Sequence, residues 1–473
     1  MANSSPAIAA INQITQRCDY WEQDENLYQG VEAEVGLLVP NLLLTLDIPQ
    51  QNICPEYKCS NGKRVDFAAR FEGLKSSSSF SKPDLVVEVK KPSIVFSNGS
   101  KRYAEVAAQL QEYLRDRKCN SVSYGIIFNG CQLQLFRKHG LLSYPISPIL
   151  SVNSKNIKDT INYLQKTVKK SDKLRGTIIT VWNNKGGVGK TTIAQSLAIL
   201  LSERRGYQRV EKNRILLIDF DHNQGDLTTN CKMERSNGLT KELLDNDYLG
   251  KLTEENIRKS FKVFTNIPST GRKPRFPFEI KLLTADAELS KLGSEYRKVF
   301  ASEDRFPLRQ LCMRLSEEFD YIIIDSPPNY EQSVFSKEAV SAADCILPIA
   351  LYQNNNSIRN YAKAVLDQIN PLQKLRYDGG PFSLGIWFNR WRSTWTATYT
   401  RSSVKNQIKN TEREEDQVEL KRIFYKNKSR ELRKIVETAD IARSIMDEKG
   451  LPGVVRFIRA RSAFDLLLNE FTD

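Results

Sequence analysis

Polar and apolar positions along the chain follow two regimes that meet near residues 150–176. Before that boundary the pattern alternates. Arg64–Arg70 reads as one strand and Asp84–Lys91 as the strand returning from it. In the second, Leu85, Val87 and Val89 share one face, while Asp84, Val86, Glu88 and Lys90 share the other. Gly73–Pro83, with its run of four serines, forms the loop between them. A turn centred near Ser77 would set Asp66 opposite Glu88. Tyr124–Phe128 is a further strand, and Asn129-Gly130 before Cys131–Phe136 is a hairpin signal. After the boundary the apolar runs are unbroken: Thr177–Trp182, Ile215–Ile218 before Asp219, and Tyr321–Ile324 before Asp325. Parallel strands buried on both faces read this way. Ile193, Leu197, Leu200 and Leu201 then recur at helical spacing.

The 473 residues, 40% of them hydrophobic, suffice for two or three domains with proper cores. The pattern divides them into a domain at 1–150, a lysine-rich basic linker at 151–176 and a domain at 177–473. A net charge of +14 and a pI near 9.2 draw polyanions, nucleic acid first and an acidic membrane second. The basic stretch 401–435, including Lys421, Arg422, Lys426 and Lys428, and then Arg456, Arg459 and Arg461 are candidate phosphate contacts. Acids interleave within that stretch, which also suits a solvated helix face. Eight cysteines lie scattered without a CxxC pair or a histidine pair to complete a zinc site. With no signal peptide and no apolar run long enough to span a bilayer, the expectation is reduced thiols in a cytoplasm. The only histidines are His139 and His222, so carboxylates, lysines and a metal must carry any catalysis.

Lys185-Gly186-Gly187-Val188-Gly189-Lys190-Thr191-Thr192 lies between the Thr177–Trp182 strand and the helical pattern. A phosphate-binding loop requires that context: glycines let successive N–H groups face phosphates, and the helix N-terminus adds positive potential. Lys190 is placed to bridge the β- and γ-phosphates of ATP, and the Thr191 hydroxyl to ligate Mg2+. Asp219, Asp221 and Asp325 end strands beside that loop, where ligands of parallel sheets bind.

The additional Lys185 gives this segment a resemblance to the deviant Walker A motif of ParA/MinD-type ATPases. Asp219-Phe220-Asp221 with Gln224-Gly225 resembles the family's Walker A′ segment, and Asp325-Ser326-Pro327-Pro328 its Walker B. The resemblance continues through Glu338–Pro348, Asn389-Arg390 and Thr438–Gly453, and so covers about 177–473. One departure is the loop Asp221-His222-Asn223-Gln224-Gly225, longer by a residue than the family's usual Asp-Pro-Gln-Gly. The resemblance implies an ATP-bound homodimer in which Lys185 reaches the partner's nucleotide. It implies that Asp221 orients the attacking water, that Asp219 and Asp325 hold the magnesium shell, and that Asn389 contacts adenine. Missing features separate the relatives: cluster cysteines, tyrosine clusters and a basic membrane helix are all absent. The tail, Ala463–Asp473, is apolar but acidic and suits docking on its own domain. A ParA-like protein remains, with DNA as partner, a ParB-like or other activating protein, and no membrane.

The N-terminal pattern is similar to the PD-(D/E)xK nuclease fold, with Asp66 and Glu88-x-Lys90 as its motif. The particular likeness is to the nuclease domain of type I restriction enzyme motor subunits, over about residues 20–140. There too an acid-bearing helix comes first (here Glu32 or Glu34), and a helix with Gln109, Leu110 and Tyr113 follows. Two facing carboxylates repel unless a cation joins them, so Asp66 and Glu88 are candidate ligands of a divalent metal. Lys90 is a candidate catalytic cation, and Gln109 would orient the water.

The expected fold is therefore α/β throughout: an N-terminal restriction-endonuclease-like domain, then a P-loop NTPase domain on a mostly parallel sheet. The expected function is an ATP-dependent, dimeric, DNA-binding ATPase coupled to a Mg2+-dependent DNA endonuclease, a fusion suited to defence against plasmids or phage. The rival is a partition ATPase that positions plasmid or chromosome, its N-terminal domain only binding DNA or a partner.

Overall fold

A computed structural model of the chain describes residues 5–23, 32–72, 80–98, 100–168, 175–206, 210–237, 253–266, 277–291, 306–329, 333–351, 355–376, 378–391, 394–426, 431–436 and 458–472. They fall into two compact units, one of residues 1–172 with 376–380, the other of 173–375 with 381–473.

The first unit is built on a seven-stranded sheet in the order β1-β2-β3-β4-β5-β6, with β7 pairing β5. Its strands are β1 (Ile53–Lys58), β2 (Arg64–Ala69), β3 (Leu85–Val89), β4 (Tyr124–Phe128), β5 (Gln132–His139), β6 (Leu142–Pro145) and β7 (Leu150–Ser151). Only β3 and β4 run parallel, and the helix Lys101–Leu114 makes the crossover between them. The β2–β3 pairing matches Phe67 with Val87 and Ala69 with Leu85, a register that sets Asp66 across from Glu88, as a turn centred near Ser77 predicts. All five residues of β3 are buried, so its polar face is covered rather than wet. Asn129-Gly130 turns β4 into β5, with the Asn129 Oδ1 accepting from the N–H groups of Cys131 and Gln132 at 3.0 and 2.6 Å. β1 escapes the sequence pattern because it is an edge strand containing Pro55 and burying only Tyr57.

The stretch expected to be a basic linker contributes a helix instead. Ile157–Thr167 buries Ile157, Thr160, Ile161 and Leu164 on one face, and its lysines occupy the other. The serine run of the β2–β3 loop lies outside the described residues.

The second unit carries a nine-stranded sheet in the order β10-β11-β9-β12-β8-β13-β15-β16, with β14 (Phe382–Ser383) pairing β13. The central strands are β8 (Thr177–Trp182), β9 (Ile215–Asp219), β12 (Tyr321–Asp325) and β13 (Cys345–Leu351). They are flanked by β10 (Lys262–Thr265), β11 (Glu279–Leu283), β15 (Trp387–Trp391) and β16 (Arg433–Val436). Every pairing is parallel except β10 with β11. The apolar runs of β8, β9 and β12 are fully buried, as unbroken runs in a two-sided parallel sheet must be. The acidic tail docks on this unit: Phe464, Leu467, Leu468 and Phe471 are buried, and Phe471 meets the Tyr321 ring edge-on.

A buried ionic knot fixes the base of this sheet. Asp344 accepts two hydrogen bonds from Arg175, at 2.7 and 2.9 Å, one from Arg309 at 3.1 Å and one from the Ile178 N–H at 3.0 Å. Burial alone would raise the carboxyl's pKa, but the two guanidinium groups outweigh it and hold it far below the usual range. Its contribution is therefore complete above the ordinary carboxylate pKa and is lost only as pH falls well below it. Asp344→Ala leaves two cations without their counter-charge, so chemical denaturation should show a loss of about 3–5 kcal/mol. A loss under 1 kcal/mol would mean that the knot is not structural.

Candidate functional site

The phosphate loop sits between β8 and the helix Lys190–Ser202. Gly187 and Gly189 adopt φ of 72° and 96°, which side-chain-bearing residues rarely take. A Cβ at Gly189 would also come within 2.4 Å of the Asn389 amide nitrogen. Asn389 braces the loop, donating to the Val188 carbonyl at 2.9 Å while its own Oδ1 accepts from the Arg390 N–H at 2.8 Å. The Lys185 N–H donates to Asn183 Oδ1 at 2.8 Å, leaving the Lys185 side chain exposed, and Lys190 Nζ donates to the Lys185 carbonyl at 3.2 Å. Thr191 and Thr192 follow at half-buried positions in the first helical turn.

Asp219 and Asp325 are direct partners on adjacent strands β9 and β12, at the carboxyl ends nearest the loop. Asp219 accepts from the Thr228 N–H and hydroxyl at 2.8 and 2.6 Å. Asp325 is buried, and neither of its carboxylate oxygens has a hydrogen-bond donor. Burial, and then Asp219 beside it, raises its pKa well above the usual range; burial also pushes Asp219 up to about 6. Burial pulls the Lys190 ammonium down against the opposing pull of Asp325 and Asp221, so the four groups form one electrostatic unit. Asp221 is buried one residue past Phe220.

These residues fit Mg2+ and a nucleotide phosphate. A Cβ at Gly186 or Gly187 would meet nothing within 4 Å, which leaves backbone N–H groups open to an anion. A donor-free buried carboxylate near the Thr191 hydroxyl is a hard-cation donor set. Among the described residues no three His, Cys, Asp or Glu side chains converge as a metal cage. Magnesium needs none, since it is commonly bound by one or two carboxylates plus substrate phosphates.

The second constellation lies in the first unit. Asp66 Oδ2 accepts from the Val89 N–H at 2.6 Å, and its carboxyl group lies close enough to Glu88 for the two charges to oppose each other. Glu88 is 1% exposed, its Oε1 accepts from Lys90 Nζ at 2.5 Å, and its Oε2 has no partner. Burial, then the neighbouring Asp66, pushes the Glu88 carboxyl up to about 7. Of the two first-helix acids, Glu32 reaches this group, 3.9 Å from Lys90 Nζ, whereas Glu34 pairs with Arg17 at 2.9 Å. Gln109 donates to the Tyr113 hydroxyl at 3.0 Å, and Tyr113 lies within the field of Glu88, Asp66 and Lys90. A buried carboxylate oxygen without a donor, facing a second carboxylate, fits a divalent cation here as well.

Sequence reasoning missed Thr228, which fixes Asp219, and it mistook part of the basic stretch. Arg422 is structural: it donates to Glu419 at 2.9 and 2.5 Å and to the Ser383 carbonyl at 3.1 Å, and it lies over the Phe382 ring. Lys426 pairs with Glu470 at 3.6 Å and Arg461 with Glu203. Lys428 and Arg456 lie outside the described residues. Arg401, Lys405 and Lys409 remain exposed at four-residue spacing on the helix Thr394–Lys409, with Lys421 and Arg459 exposed elsewhere. Among the described residues no helix is long and apolar enough to cross a membrane.

A family described as an AAA domain matches residues 176–375. The chromosome partitioning protein ParA of Myxococcus xanthus is 31% identical over 175 residues, which are 36% of this chain and 51% of that protein. The sporulation initiation inhibitor protein Soj of Bacillus subtilis is 28% identical over 36% of this chain and 57% of its own. The chain thus spans about half the length of these curated relatives. Among solved structures, apo McdA of Cyanothece aligns over 62% of this chain and 98% of its own at 20% identity, with a TM-score of 0.44. The glycine loop, the acids at the ends of β9 and β12 and the family match coincide on one region. The C-terminal region of this chain is a P-loop ATPase domain of the ParA/MinD type.

Proposed function

We propose that the chain is an ATP-hydrolysing, DNA-associating protein whose first unit cleaves the phosphodiester backbone with a divalent metal. The buried, donor-free oxygen of Glu88, facing Asp66 with Lys90 alongside, carries this reading. A domain that only bound DNA or a partner would have no use for a buried and a half-buried carboxylate at one point, which repel in the absence of a cation. The order of helix, three antiparallel strands, helix and parallel strand supports a restriction-endonuclease-like reading of the first unit.

In the ATPase site, Lys190 binds the β- and γ-phosphates, with the N–H groups of Gly186, Gly187, Val188 and Gly189 around them and Thr192 at the helix start. Thr191, Asp219 and Asp325 would hold Mg2+, which when bound would neutralise charge on the phosphates. Asp221 orients the water, Asn389 serves the adenine side, and the exposed Lys185 reaches the nucleotide of a second subunit in an ATP-dependent homodimer. In the first unit, Asp66 and Glu88 would hold a divalent cation, which when bound would polarise the phosphodiester and activate water. Lys90 offsets charge developing on the phosphate, and Gln109 with Tyr113 orients the water. Nicking of supercoiled plasmid with and without Mg2+ tests this reading.

The relatives named for chromosome partitioning favour a second reading, in which the protein moves DNA cargo and cuts nothing. Both readings share a DNA-binding face. The helix Thr394–Lys409 offers Arg401, Lys405 and Lys409 to phosphates, without base reading. Reversing all three to Glu should weaken ATP-dependent DNA binding uniformly across sequences. It should also flatten the log–log salt slope by roughly three units, nearly one per phosphate contact. An unchanged slope would move the DNA face elsewhere.

A further inference from the structure

The loop after Asp221 closes on the residue that begins it. The Gly225 N–H donates to the Asp221 carbonyl at 2.7 Å, and the Gln224 N–H donates to Asp221 Oδ1 at 3.2 Å. Gly225 takes φ of 59°, and a Cβ there would come within 2.5 Å of the Arg235 guanidinium. Two further carbonyls of the loop accept from Arg235, His222 at 3.2 Å and Gln224 at 2.6 Å. His222 itself is buried, its ring 3.9 Å from that of Phe335.

The segment carrying Arg235 is anchored in turn. The Ser236 N–H donates to the Ala285 carbonyl at 3.1 Å, just past the end of β11. The Ala285 N–H donates to the Thr228 hydroxyl at 2.8 Å, and that hydroxyl donates to Asp219 Oδ2 at 2.6 Å. A single hydrogen-bonded circuit therefore runs from Asp219 through Thr228, Ala285 and Ser236 to Arg235 and back to the loop of Asp221. A guanidinium suits the last link, because its planar fork serves two carbonyls at once.

We propose that Arg235 is a positioning residue for ATP hydrolysis, strapping the loop so that the Asp221 carboxylate stays where it acts on the water. This rests on the ATPase reading of the site. The strap lies outside the phosphate loop, so its loss should spare nucleotide binding.

The test uses the full chain and its Arg235→Ala and Arg235→Lys variants. Three quantities are read: ATP turnover, affinity for a fluorescent ATP analogue, and amide hydrogen exchange across residues 221–228 without nucleotide. Arg235→Ala should turn over ATP about 10- to 100-fold more slowly, the scale set by a misplaced catalytic group. Its affinity should stay within about two-fold, since the phosphate-binding groups that supply it are untouched. Exchange at 221–228 should quicken while exchange at 186–192 is unchanged. Added guanidinium ion should restore part of the rate, and Arg235→Lys should fall between. Unchanged turnover, or a loss of rate matched by an equal loss of affinity, overturns the proposal. Should the wild type fail to turn over ATP, the ATPase reading is at fault; the exchange data then decide the strap alone, and unchanged exchange at 221–228 overturns it.

Discussion

Lys190→Ala binds ATP about 10²- to 10⁴-fold more weakly than the wild type, while the fold is retained. The lysine is buried beside Asp325 and Asp221, and its ammonium is the positive charge that those carboxylates share. Bridging two phosphates means two charge-assisted hydrogen bonds, each about 1.5–3 kcal/mol, and that sum gives the range. The mutant also leaves Asp325 facing two other acids without compensation, so Mg2+ without nucleotide should stabilise it more than it does the wild type. Titration calorimetry with ATP and Mg2+ reads the effect. Affinity within three-fold of wild type would show that the loop does not cradle phosphate through this side chain.

On the proposed nuclease reading, Glu88→Ala should lower metal-dependent cleavage by about 10³-fold or more without unfolding the first unit. A metal ligand and the partner of Lys90 are lost together, each a contribution of the size seen for single electrostatic groups in active sites. Stability should move the other way. Glu88 is buried with one oxygen unpartnered and a second carboxylate beside it, so its removal relieves repulsion when no metal is present. The first unit's transition should therefore move up on adding Mg2+ or Mn2+ through Asp66 and Glu88 in the wild type and stay in place in the variant, whose ATPase site keeps its own metal response. A metal-induced shift of the first unit's transition that persists in Glu88→Ala would place its cation elsewhere.

Much of this was legible in the chain because buried parallel strands carry their signature locally. The apolar runs of β8, β9 and β12 announce both the sheet and the acids at its carboxyl edge, since few other contexts bury every residue of a strand. The facing of Asp66 and Glu88 was legible for a similar reason: a hairpin conserves register, so one turn position predicts every pair. What stayed hidden depends on partners distant in sequence. Arg422 looks like a phosphate contact until Glu419, Ser383 and Phe382 surround it, and only Glu419 is near in the chain. The choice of Glu32 over Glu34 turned on where Arg17 sits. The helix Ile157–Thr167 was masked by lysines on its wet face, though Ile157, Ile161 and Leu164 keep helical spacing. The strap of Arg235 has no local signal at all, because it is made to backbone carbonyls eleven and thirteen residues away.

The central claim is that one chain joins a ParA/MinD-type ATPase domain to a metal-dependent nuclease, and nicking of supercoiled plasmid tests it most directly. Wild type, Asp66→Ala, Lys90→Ala and Lys190→Ala are incubated with plasmid in Mg2+ or Mn2+, each with and without ATP. The account predicts nicking by the wild type that requires the metal and is lost in Asp66→Ala and Lys90→Ala. It predicts that Lys190→Ala loses only the part of the activity that ATP adds by loading the protein on DNA. No nicking by the wild type under any metal and nucleotide, or nicking that survives both N-terminal substitutions, would contradict it.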